Sequence, residues 1–151
     1  MKRFLLSCLV VVCFGGAAFC QESPVHWQYS LKKLDENKYE VHLVAKVDAG
    51  WHIYSQKQPR EAVASPTQIM FTKNPLVHLN GKPREVGKLE KYEIKSAGII
   101  NHQYADQVDF VQDLVYTAKA KTNITGKVAF QACTDSRCLP EKTEDFSISI
   151  P

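Results

Sequence analysis

The sequence predicts an all-β domain in which two antiparallel sheets pack face to face. Three observations carry that expectation. Apolar and polar residues alternate with period two over most of the chain. Turn-forming residues cut the alternation into short pieces. No long window carries the three-and-four spacing of a helical stripe.

The elements follow in order. Trp27, Tyr29 and Leu31 alternate with Gln28, Ser30 and Lys32, and Asp35-Glu36-Asn37 then turns the chain. Tyr39, Val41, Leu43, Ala45 and Val47 alternate with Glu40, His42 and Lys46, although Val44 breaks the polar face. Asp48-Ala49-Gly50 ends that strand, and Trp51-His52-Ile53-Tyr54 resumes an extended run. Thr67 to Thr72 is a short strand opened by Pro66, and Asn80-Gly81 reads as a turn. Val108, Phe110, Leu114 and Tyr116 mark a longer strand with Gln112 out of pattern. Thr125-Gly126 reads as another turn, before Val128 and Phe130; Phe146, Ile148 and Ile150 form the last strand. Seven or eight short strands with one wet face fit an immunoglobulin-like antiparallel β-sandwich. Gln56 to Ser65 and Gly87 to Asp106 are unpatterned and read as loops. Loops of that length in a compact domain are commonly functional or mobile.

The N-terminus stands apart from this pattern. Lys2 and Arg3 precede an apolar run from Phe4 to Phe14, and Gly15-Gly16-Ala17-Ala18 supplies small residues after it. That is the plan of a signal peptide over residues 1–20, with Ala18 and Cys20 at the cleavage positions and a mature domain over 21–151. The alternative is lipid attachment at Cys20, which the bulky Phe19 before it disfavours. The apolar run is too short to span a bilayer, and no transmembrane segment is expected in the mature chain. An exported domain of about 130 residues can bury a sufficient core without a disulfide staple.

Charge excludes one class of partner. The net charge of +3 includes Lys2 and Arg3, and the remaining basic residues are scattered, so no nucleic acid is expected. Of the five cysteines, Cys8, Cys13 and Cys20 belong to the N-terminal segment, leaving Cys133 and Cys138 for the folded domain. An even pair in an exported chain lies where disulfides persist. Four residues separate the two, so a tight hairpin-like loop can bring them to bonding distance. Closing so short a loop stabilises by only about 2 kcal/mol.

Spacing alone leaves three readings open: thiol–disulfide exchange, a structural disulfide, or a metal site. Metal is the weakest. There is no second cysteine pair, and His26, His42, His52, His78 and His102 show no ligand spacing around the loop. No cofactor motif is present either. A binding module, an immunoglobulin-like sandwich holding a protein or sugar with its loops, is the rival to exchange.

The segment Phe130-Gln-Ala-Cys-Thr-Asp-Ser-Arg-Cys-Leu-Pro, followed by a final Phe146-Ser-Ile-Ser-Ile strand, resembles the N-terminal periplasmic domain of the thiol:disulfide interchange protein DsbD. Ala49-Gly50-Trp51-His52-Ile53-Tyr54 resembles that family's Gly-aromatic-x-aliphatic-Tyr strand. The resemblance runs from about Tyr39 to Ile150. It implies an immunoglobulin-like sandwich with Cys133 and Cys138 as a catalytic pair at one end. Cys138 would form mixed disulfides and Cys133 would resolve them, with Tyr54 near the sulfurs. A cap loop would shield the pair, and Glu90 and Tyr92 in Gly87-Lys88-Leu89-Glu90-Lys91-Tyr92 are its candidates. The implied partners are a thioredoxin-like redox protein or membrane electron carrier on one side and oxidised periplasmic proteins on the other. The four-residue loop is shorter than in the best-known members. The sequence ends at Pro151 without their electron-carrier and thioredoxin-like domains, so a stand-alone copy is expected.

Overall fold

A computed structural model describes residues 23–118 and 120–151. The expected signal peptide and Cys20 lie outside the described residues.

The described chain is all β apart from one short turn of 3₁₀-helix at Lys95–Ala97. Eleven strands form three sheets. β1 (Val25–Lys33), β2 (Lys38–Val47), β8 (Gln107–Tyr116) and β5 (Val77–Gly87) make the first, in the order β1-β2-β8-β5. β11 (Lys142–Ile150), β9 (Thr122–Phe130) and β4 (Gln68–Phe71) make the second, in the order β11-β9-β4. Every paired strand runs antiparallel to its neighbour.

These two sheets close on one core. Alternation sends Val41, Leu43 and Ala45 of β2 and Val108, Phe110 and Leu114 of β8 inward, each essentially free of solvent. Ile124, Val128 and Phe130 of β9 and Phe146, Ile148 and Ile150 of β11 face them. Aromatic rings bridge the layers: Trp27 of β1 stands 5.4 Å from Phe130, and Tyr29 stands 5.6 Å from Phe146. This is the sandwich that the sequence predicts.

Both expected turns at glycine are something else. Gly81 lies inside β5, where the register against β8 shifts between Asn80 and Arg84. Gly81 takes φ +68, so the stretch is a bulge within one strand rather than a turn between two. Gln112, the odd residue of β8, is explained by it. Its side chain is buried, and its Nε2 donates to the Asn80 carbonyl at the edge of the bulge. Gly126 lies inside β9, opposite Phe71 on one side and Phe146 on the other. Any Cβ there would run into the Met70 carbonyl and the Phe146 ring. The glycine makes room for an aromatic ring to lie over the strand.

The larger correction concerns Gly87 to Asp106. Read as a loop, it forms β6 (Glu90–Ile94) and β7 (Ile99–Tyr104), a hairpin turned through Gly98 at φ +64. With β3 (His52–Tyr54) and β10 (Ala132–Cys133) it makes a third sheet, ordered β10-β3-β7-β6. The expected loop from Gln56 to Ser65 is irregular, as predicted.

The third sheet sits at one end of the sandwich, because the same end of the larger sheets feeds all four of its strands. β3 follows β2 past the Lys46–Gln107 pair, and β7 leads into β8 at that pair. β6 follows β5 past the Gly87–Val108 pair, and β10 continues β9 after Phe130.

Candidate functional site

Register alone decides which side chains share a face of the third sheet. Cys133 pairs with His52, and Tyr54 pairs with Gln103. Gln103 pairs with Glu90, and Asn101 pairs with Tyr92. Side chains alternate along each strand, so Cys133, His52, Tyr54, Asn101, Gln103, Glu90 and Tyr92 all belong to one face. The sequence motifs that resemble known ones thus meet through strand pairing.

The cysteines close a hairpin above that face. Thr134 N–H donates to the Arg137 carbonyl at 2.8 Å, and Leu139 N–H donates to the Ala132 carbonyl at 2.9 Å. Those two bonds flank Cys133 and Cys138, which makes them a directly opposed pair without a hydrogen bond between them. Such pairs bring Cα atoms closest, here to 4.0 Å, and the two sulfurs are joined as a disulfide. The tip is tied to itself: the Thr134 hydroxyl accepts from the backbone N–H of Ser136 and Arg137 at 3.3 and 3.2 Å. Its base is tied by Gln131, whose Nε2 donates to the Leu139 carbonyl at 3.1 Å.

The two cysteines differ in access. Cys133 has 0% exposure, whereas Cys138 is exposed. Cys138 opens onto a shallow hollow of about 290 Å³, shared with His52, Tyr54, Tyr92, Asn101 and Arg137. The Tyr54 hydroxyl lies 4.0 Å from Cys138 Sγ and 3.3 Å from His52 Nε2. The Arg137 guanidinium lies 5.3 Å from the centre of the Trp51 ring, holding the hairpin tip against the entry to β3.

Burial sets the electrostatics. Desolvation pushes the His52 imidazole below its ordinary value of 6.5, opposed by the negative charges of Asp135 and Glu90. Desolvation also pushes the Tyr54 phenol above its ordinary value of 10.0, with Tyr92 adding to the rise. At neutral pH the face therefore offers a neutral imidazole and a protonated phenol beside the sulfurs.

Polar bonds fix the strand that carries both groups. The Thr67 hydroxyl donates to the Tyr54 carbonyl at 2.5 Å, and Ser55 N–H donates to the His102 carbonyl at 3.0 Å. Glu85 of β5 accepts from the Ser55 hydroxyl at 2.7 Å, the Gln56 N–H at 2.6 Å and the Tyr104 hydroxyl at 2.8 Å. One carboxylate thus fastens β3, its following loop and β7 to the sandwich.

Of the residues singled out from sequence, Tyr54 and Tyr92 line the hollow with Cys138. Glu90 shares their face, pairs with Lys88 at 3.5 Å and acts on His52 through its charge. Glu90 and Tyr92 lie in strand β6 and not in a loop. His52 and Asn101 escaped the sequence reading. His52 carried one available signal, its spacing of two residues from Tyr54 in a strand, which puts both on the same face.

The family described as thiol:disulfide interchange protein DsbD, N-terminal, matches residues 17–150, and the chain belongs to it. The reduced N-terminal domain of DsbD from Neisseria meningitidis superposes with a TM-score of 0.51 at 17% identity, over 82% of this chain and 85% of that one. The N-terminal periplasmic domain of ScsB from Proteus mirabilis superposes with a TM-score of 0.53 at 14% identity, over 85% of this chain. The match spans 47% of the ScsB chain. These likenesses show a shared immunoglobulin-like sandwich fold. No curated protein matches the chain. Membership assigns the domain to thiol–disulfide exchange.

Proposed function

We propose that this domain relays reducing equivalents through Cys133 and Cys138, from a thioredoxin-like protein or membrane electron carrier to oxidised periplasmic proteins. The observation that carries the reading is the unequal access of the two cysteines: Cys138 is exposed and Cys133 is fully buried. Only an exposed sulfur can be reached by a partner, and only a neighbouring sulfur can then displace that partner.

The electrons balance as follows. A thiolate of the donor attacks Cys138 Sγ, and the Cys133–Cys138 bond breaks with its electron pair on Cys133. The donor's second thiolate attacks the donor sulfur of that mixed disulfide, and Cys138 leaves as a thiolate. The donor now holds a disulfide, and the pair has gained two electrons and takes two protons from water. Delivery runs the other way: the Cys138 thiolate attacks an acceptor disulfide, and the Cys133 thiolate attacks Cys138 Sγ and frees the reduced acceptor.

Tyr54 stands against Cys138, Tyr92 lines the hollow, and Glu90 lies on the same sheet face; Glu90 and Tyr92 serve as a cap that limits unproductive encounters. Export through a signal peptide over residues 1–20 to the periplasm completes the reading, with the domain spanning 21–151. Among the described residues, no helix is long and apolar enough to cross a membrane.

The test is the reduction potential of the pair against glutathione or thioredoxin. The expected value lies between about −120 and −270 mV, the range of exchange proteins. Cys133→Ala should then trap partners as mixed disulfides on Cys138. A value below about −300 mV marks an inert structural disulfide and would replace the relay with a binding module.

A further inference from the structure

We infer that His52 is a positioning residue: its Nε2–H holds the Tyr54 hydroxyl so that the phenolic hydrogen faces Cys138 Sγ, which sets the thiolate character of Cys138. The inference rests on the exchange reading above and adds a residue to it.

The Tyr54 hydroxyl has one hydrogen and two neighbours, His52 Nε2 at 3.3 Å and Cys138 Sγ at 4.0 Å. Sulfur in a disulfide or a thiolate carries no hydrogen, so it can only accept. If Tyr54 gave its hydrogen to Nε2, the contact with sulfur would have no hydrogen at all. If Nε2 carries a hydrogen and donates it to the phenolic oxygen, Tyr54 donates to the sulfur. Only this polarity makes both contacts hydrogen bonds. When Cys138 becomes a thiolate, the second bond is charge-assisted, and the bond from His52 polarises the phenol further.

The surroundings fit that polarity. Burial raises the Tyr54 phenol, which keeps its hydrogen available as a donor through the neutral range. Burial also lowers His52, so a neutral ring donates, through one nitrogen only. The groups facing the imidazole are Cys133 on β10, Asn101 and Gln103 on β7, Glu90 and Tyr92 on β6, and Asp135 and Arg137 on the hairpin. Tyr54 on its own strand is the one group among the described residues that hydrogen-bonds its ring.

The experiment alkylates the reduced protein with iodoacetamide across pH and follows Cys138 by peptide mass. His52→Phe should slow the reaction at pH 7 about three- to tenfold, the worth of one net hydrogen bond, and move its pH midpoint upward. His52→Gln keeps an N–H donor near the Nε2 position and should recover most of the rate. Tyr54→Phe should be slow in the same way, and adding His52→Phe to it should change nothing further.

An unchanged rate and midpoint in folded His52→Phe would overturn the inference. So would an equal loss when His52→Phe is added to Tyr54→Phe. Should His52→Phe fail to fold, the ring nitrogen shifts of the unaltered oxidised protein decide instead. A protonated Nε2 with a bare Nδ1 is expected, and the opposite tautomer overturns the inference. A reduction potential well below the range of exchange proteins removes the relay alone, because the His52 effect on Cys138 would stand. An exchange-competent pair that ignores His52 removes this inference alone.

Discussion

Val41, Leu43 and Ala45 of β2 face aromatic rings and branched aliphatic chains, all without solvent. His52 and Tyr54 of β3, a few residues later, face Asn101, Gln103 and Glu90. The sandwich coheres by removing apolar area from water. The third sheet sends Ile53, Tyr104 and Ala132 into the same core, but its other face is polar, and its margins are held by polar bonds, above all those to Glu85. That difference separates stability from reactivity. A change in the sandwich should move the unfolding transition and leave Cys138 alone, while a change on the polar face of the third sheet should do the reverse.

The hardest push on the comparison is Phe110→Ala. Phe110 is fully buried in β8, its ring tilted against that of Trp27 with centres 5.9 Å apart. Removing the ring should cost about 3–5 kcal/mol, read as a lower midpoint in denaturant. The alkylation rate of Cys138 in the protein that remains folded should not change. A large change in that rate would mean that the sandwich core and the cysteine hairpin are coupled, and the separation would fail.

The next push falls on the joint between the two regions. Glu85→Gln leaves one oxygen to serve the Ser55 hydroxyl, the Gln56 N–H and the Tyr104 hydroxyl, and removes the charge that strengthens all three bonds. The expected cost is about 1–3 kcal/mol. Unlike Phe110→Ala, it should also raise hydrogen exchange at Ser55 and Gln56. Exchange confined to the sandwich strands would place the joint elsewhere.

The same contrast explains what the sequence disclosed. Strands β1, β2, β8 and β11 each have one face in the core and one in water, so their alternation survives in the residue order. β6 and β7 do not: Glu90 to Ile94 is mostly exposed on both sides, and the face that matters is polar. Period-two hydrophobicity has nothing to report there, and the hairpin passed for a loop. Gly81 and Gly126 misled for a related reason. A glycine signals backbone freedom or close approach, and only the partner strand decides between a turn, a bulge and a slot for Phe146. The cysteine pair and Tyr54 were legible because their motifs are local. The polar face they join depends on register between strands far apart in the chain, which no local pattern states.

The smallest effect comes from the group that belongs to both sides of the comparison. His52 is buried in the third sheet, and burial holds its folded-state value below 6.5. The unfolded chain therefore takes up the proton first as pH falls. Stability contributed by the neutral ring is complete above about pH 6.5. It declines as pH drops toward the folded value, and the decline stops once the folded protein is also protonated. His52→Gln cannot titrate but keeps a donor for Tyr54. The difference in melting temperature between the two proteins should be constant above pH 7 and should shift in favour of the variant as pH falls below 6.5. Carboxylates such as Glu40, held low by its bond to Arg84, destabilise both proteins alike in acid and cancel in that difference. A difference that stays flat down to pH 5 would mean that the ring takes its proton without cost. The third sheet would then be open enough to water that its polar face needs no shelter from the sandwich.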